Sequence, residues 1–175
     1  MVADPSKGVF YSSRTTDELV ALLRNRRRID GRVVAVEDKH EFRSRLAQSG
    51  IMPRPLEELL WLVGLVTGAG ESLGAWDPRE PVRLKRWPNF ASLPHRQVHL
   101  KMAAILTSRD AQSQTLAESC EVGAGDAADF LNACAEIGIL EAQAAPAADS
   151  AGSGKTALKD AWRNVVGSLK RQVQE

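Results

Sequence analysis

Apolar residues recur along this chain with two periods, and the changes of period mark its elements. Gly8 to Tyr11 reads as a short strand. Leu19, Val20, Leu22 and Leu23 then follow at helical spacing. Thr15 and Glu18 stand three residues apart ahead of them, the spacing of a capping box, and this helix is expected to run to about Arg28. Asp30-Gly31 supplies a turn, and Arg32-Val33-Val34-Ala35-Val36 has the β-branched content of a short buried strand. Asp38 caps a further helix that carries Phe42 and Leu46 and stops at Ser49-Gly50. Pro53 and Pro55 are placed to open the next helix, where proline is tolerated in the first turn. From Leu56 to Thr67 nearly every position is apolar, which predicts a helix buried on most sides, ended by Gly68-Ala69-Gly70.

Val82 to Trp87 alternates apolar Val82 and Leu84 with Arg83 and Lys85, the pattern of an edge strand with one wet face. A helix over Ser92 to Asp110 turns Val98, Met102, Ile105 and Leu106 inward, and a second over Ser113 to Cys120 does so with Leu116, Ala117 and Cys120. A third, Asp126 to Ile137, buries Phe130, Leu131, Cys134 and Ile137. Ile139-Leu140 starts a strand. Residues 142–154 are rich in Ala, Pro, Ser and Gly and read as a linker. Residues 155–175 close the chain as an amphipathic helix, striped with Leu158, Trp162, Val165, Val166, Leu169 and Val173. The expectation is an α+β, mainly helical fold, with a small α/β segment over 1–52 (β-α-β-α) and a larger unit over 53–141.

Charge changes this picture more than composition does. The 175 residues carry a formal net charge of only +1, but the signs are segregated. Arginines crowd the first part, and Arg79, Arg83, Lys85 and Arg86 the middle, whereas Asp110 to Gly154 holds no lysine or arginine at all. Such asymmetry sets partners or self-contacts rather than fold. Cys120 and Cys134, the two cysteines, fall at apolar-face positions and read as core thiols. The start MVADPSKGVF has no apolar signal core, and no run approaches the ~18 apolar residues of a membrane span, so a cytosolic protein is expected.

Val98 to Leu140 resembles the winged helix-turn-helix superfamily of many bacterial regulators. An anchoring helix, Thr115-Leu116-Ala117-Glu118, a small-residue turn at Gly123, Phe130-Leu131 and the exit Ile137-Gly138-Ile139-Leu140 carry the resemblance. It implies a winged-helix-like domain whose third helix reads DNA. Arg83-Leu84-Lys85-Arg86-Trp87-Pro88-Asn89-Phe90 is similar to an uncharacterised proteobacterial family associated with surface motility and small-GTPase signalling.

The outward positions of that third helix are Asp126, Asp129, Asn132, Ala133 and Glu136. Phosphate neutralisation by cations carries most non-specific DNA affinity, so this helix has the wrong charge for a duplex. Asp126, Asp129, Asn132 and Glu136 are expected to face a basic protein partner instead. As exposed groups, Asp129 and Glu136 should then tolerate charge reversal without loss of thermal stability. Trp162, Val166 and Leu169 would anchor the tail helix in a partner's groove, on an anionic membrane surface, or on the chain's own body.

Arg24, Arg27, Arg28 and Arg32 form a cluster suited to phosphates or a cyclic dinucleotide, although cations also belong at a helix C-terminus. Arg83, Lys85 and Arg86 beside Trp87 and Phe90 pair basic and aromatic groups as nucleic-acid surfaces do, or lie against the chain's own acidic segment. Gly152-Ser153-Gly154-Lys155-Thr156 suggests a phosphate loop, but Asp149 stands where the motif needs glycine, and no strand precedes it. His95 and His99 share a helical turn without further ligands at metal spacing, and no nucleophile is paired with a base. The reading is a non-catalytic interaction module with no cofactor. The alternatives are a DNA-binding regulator and a receptor for a cyclic dinucleotide or other phosphate ligand.

Overall fold

The computed structural model describes residues 1–25 and 39–142, and these form an α+β, mainly helical fold. The chain opens with a three-stranded antiparallel sheet of β1 (Val2–Asp4), β2 (Val9–Tyr11) and a strand supplied from much later in sequence, β3 (Pro53–Pro55). Pro53 and Pro55 therefore lie in a strand rather than in a first helical turn, although Pro55 is also the N-cap residue of the helix that starts at Leu56. Lacking N–H groups, they occupy a strand at the sheet's edge, where proline is accepted. Phe10 points to the fully buried side of this sheet, and the Arg54 guanidinium lies 5.0 Å over its ring.

The capping box forms as the spacing predicts. Thr15 Oγ1 accepts the Glu18 N–H at 3.3 Å, and Glu18 Oε2 accepts the Thr15 N–H at 2.7 Å, opening α1 (Thr16–Arg24). Leu19 and Leu23 are its buried residues. The helix is capped at Asn25, short of Arg28. The expected strand at Arg32–Val36 lies outside the described residues, which resume with α2 (Lys39–Gln48).

At the centre is α3 (Leu56–Thr67), buried along most of its length, as its apolar run requires. Its Glu58 is the buried acidic exception: the carboxylate accepts from Arg54 and Thr16, so it is paired where it is buried. Next comes β4 (Val82–Leu84). It was expected at an edge, yet it lies between β5 (Leu140–Ala142), with Leu84 opposite Leu140, and a bridge from Val82 to Ala111. Val82 and Leu84 are buried and Arg83 is exposed, so the alternation holds.

Three helices complete the body: α4 (Gln97–Ser108), α5 (Ser113–Cys120) and α6 (Ala124–Glu136). The first begins at Gln97 rather than Ser92. Pro94 disfavours helical backbone before it, and Asn89 to Leu93 instead forms a turn in which Ser92 and Leu93 both donate to Asn89 O. Met102, Leu106, Leu116, Ala117, Cys120, Phe130, Leu131, Cys134 and Ile137 are all buried as anticipated. Phe10, Leu19 and Leu23 join the same core cluster. Trp61 is its hub: Phe90, His99 and Phe130 meet it edge-on with centroids 5.9 to 6.2 Å away, and its indole N–H donates to Pro94 O at 2.7 Å. No helix among the described residues is long and apolar enough to cross a membrane.

Candidate interaction surfaces

The helix expected to present an acidic face, α6, is instead packed under α3 and the loop that follows it. A Cβ on Gly64 would lie 2.4 Å from Ala133 Cα, so the two helices touch backbone to backbone. Gly68 sits against the Asn132 amide, and Gly70, at φ +86°, against Gly125. Ala133 and Asn132 are thereby buried, which corrects the expectation that both point outward. Asn132 is 1% exposed. Its Oδ1 accepts the Trp76 indole N–H at 2.9 Å and the Leu73 N–H at 3.1 Å, while Nδ2 donates to Glu71 O at 2.7 Å.

The acidic neighbours are committed in the same way. Asp129 Oδ1 accepts the Gly70 N–H at 2.9 Å. Burial raises the Asp129 pKa, partly opposed by that hydrogen bond. Burial also pushes the Glu136 carboxyl upward. The Asp126 side chain is part-buried too, and it is paired with Arg96 at 2.5 Å. Asp129 and Glu136 are thus part-buried groups rather than freely exposed charges.

The one sequence signal for this arrangement is that Gly64, in α3, and Gly68, its C-cap residue, stand four residues apart. That spacing marks a close backbone approach as well as a weak helix.

The basic ribbon of β4 is the other candidate surface. Arg83 lies 3.7 Å from Asp110 and stands opposite Glu141 in the strand register. Arg86 is 3.0 Å from Glu57, on α3. Trp87 follows, 46% exposed, its ring edge-on to Phe90 at 5.9 Å. Phe90 in turn is packed on Trp61 and on His95. The expected meeting of this ribbon with the acidic segment is seen at Arg83, whereas Arg86 finds a different partner.

Arg24 lies exposed at the end of α1, close enough to Asp129 to favour its charged form. Arg27, Arg28, Arg32, Trp162, Val166 and Leu169 lie outside the described residues, as do the 142–154 linker beyond Ala142 and the glycines preceding Lys155. Cys120 and Cys134 are free, buried thiols, and burial raises both.

His99 is not a surface residue either. It is 3% exposed and sits at the third position of α4, where its Nδ1 accepts the Arg96 N–H at 3.3 Å. That bond puts the proton on Nε2, which has no hydrogen-bond partner among the described residues and lies among aromatic rings, with Phe130 at 5.4 Å. Burial, with Arg96 and His95 nearby, lowers the His99 pKa to about 4.

Comparison of this chain with protein-family models, with curated proteins and with solved structures finds no match.

Proposed function

We propose that this protein is a non-catalytic protein-interaction module built on a winged-helix-like scaffold. The order of α4, the Ala111 bridge, α5, a small-residue turn, α6 and β5 supports the scaffold reading. The observation that carries the functional reading is Asn132. It is the residue of the would-be reading helix whose amide could pair with an adenine edge, and its hydrogen bonds are made within the chain. A helix whose amide is spent on Trp76, Leu73 and Glu71 would have to shed α3 and its loop before entering a groove. Its acids would still oppose the phosphates.

The test uses the full chain, tagged and purified from its native host at low salt, together with a titration of labelled duplex DNA. A stoichiometric protein partner that survives nuclease treatment, with no duplex binding, is the expected result. Binding to duplex with a steep salt slope, lost when Asn132 is replaced, would overturn the proposal in favour of a regulator.

A further inference from the structure

We infer that Trp87 and its cationic neighbours form the docking surface of this module, and that the partner is a protein with an apolar pocket rimmed by carboxylates. This inference rests on the reading of the chain as an interaction module and adds the surface and the partner's chemistry. Trp87 is a large apolar side chain left 46% exposed, and it is braced from beneath. Its edge-on contact with Phe90 continues into Trp61, Phe130 and His99, a connected set of rings that reaches the core. A braced indole loses little freedom on binding, which is why tryptophan dominates binding hot spots.

The charges around it select the partner. Lys85 and Arg86 precede Trp87, and Pro88 after it is buried. Within the ribbon Arg83 is met by Asp110 and Arg86 by Glu57, while Lys85 is exposed and has no carboxylate paired with it among the described residues. A polyanion needs several cations released to its phosphates, and here Glu57, Asp110 and Glu141 are interleaved with the cations. A protein surface with a central apolar pocket and a few rim carboxylates fits one anchor, one cation unpaired among the described residues and two shared ones.

The experiment places the photocrosslinker p-benzoylphenylalanine at exposed Asn89, beside Trp87, in the full chain expressed in its native host. Parallel chains carry it at Met52 and Leu73, which are exposed elsewhere. The expected result is an Asn89 adduct with a protein segment bearing carboxylates. Trp87→Ala and, independently, Lys85→Glu should abolish it, and the purified pair should weaken about thirtyfold on Trp87→Ala. Both substituted positions are exposed, and an unchanged melting temperature verifies the fold. An Asn89 adduct indifferent to both substitutions, or one with nucleic acid or lipid, overturns the inference. Adducts from Met52 or Leu73 alone overturn this surface while leaving an interaction module. Adducts from none of the three positions remove both.

Discussion

The indole N–H of Trp76 donates to Asn132 Oδ1 at 2.9 Å, joining the loop after α3 to the middle of α6. The same oxygen holds the Leu73 N–H, and the amide nitrogen holds Glu71 O, so one side chain organises six residues of loop. Replacing Asn132 with Ala leaves an indole donor, a backbone N–H and a carbonyl without their partner in a buried place. Unsatisfied buried groups cost about 1–3 kcal/mol each, and partial rehydration of the exposed side of the loop reduces the sum. Asn132→Ala should therefore cost ~3 kcal/mol in urea denaturation, and a loss under 1 kcal/mol would show that the loop is not tied down here.

Gly64 allows a second prediction in which the sign is decisive. In an exposed helix Gly→Ala gains about 1 kcal/mol from helix propensity. Here the new Cβ would stand 2.4 Å from Ala133 Cα, a backbone atom that cannot swing aside. Gly64→Ala must push α3 off α6, and overpacking of this kind costs about 1–3 kcal/mol or more. A lowered melting temperature is expected. A raised one would mean that the two helices do not touch as described.

These two sites show what the sequence could and could not convey. Periodicity identified α5, α6 and most of α3, because an apolar stripe is a local property of a helix. It also picked out the large apolar residues that the last two helices bury, Leu116, Phe130 and Leu131 among them, but not Asn132 or Ala133. It could not say which second element covers α6, since that depends on a contact between residues some seventy positions apart. Asp126, Asp129 and Glu136 look like a solvated face when α6 is drawn alone, and they become part-buried once α3 lies across it. Pro53 and Pro55 misled for a related reason: proline suits both a first helical turn and a sheet edge, and only the partner strand Val9–Tyr11 decides between them.

Burial of Glu136 makes a prediction about charge. Its pKa is raised by desolvation, so the folded state holds this proton more tightly than the unfolded chain does. The stabilising contribution is thus present at acid pH and is lost as pH rises from the unfolded value through the folded one. Glu136→Gln, which removes the charge and keeps the shape, should raise the melting temperature at pH 7, and the gain should vanish in acid. Asp129 carries a second constraint, its bond from Gly70 N–H, so charge reversal there is expected to destabilise the fold rather than leave it unchanged. Equal melting curves for Asp129→Lys and the parent chain would contradict this.

The orphaned nitrogen of His99 gives the opposite pH dependence. Its pKa is lowered from 6.5 to about 4, because burial among Trp61 and Phe130 penalises a charged imidazolium, and Arg96 and His95 stand close by. Asp126 favours the charged form, but less strongly. Below pH 6.5 the unfolded chain takes up a proton that the native state refuses, so stability falls as pH drops from there toward 4 and then levels off. At about 1.4 kcal/mol for each unit, the loss amounts to ~3 kcal/mol. Gln in place of His99 retains an acceptor for the Arg96 N–H but does not titrate. His99→Gln should flatten the stability profile between pH 6.5 and 4 while leaving the carboxylate contributions below that range. If the acid limb stays as steep in the variant, another group governs it, and His99 is solvated enough to charge in the native state.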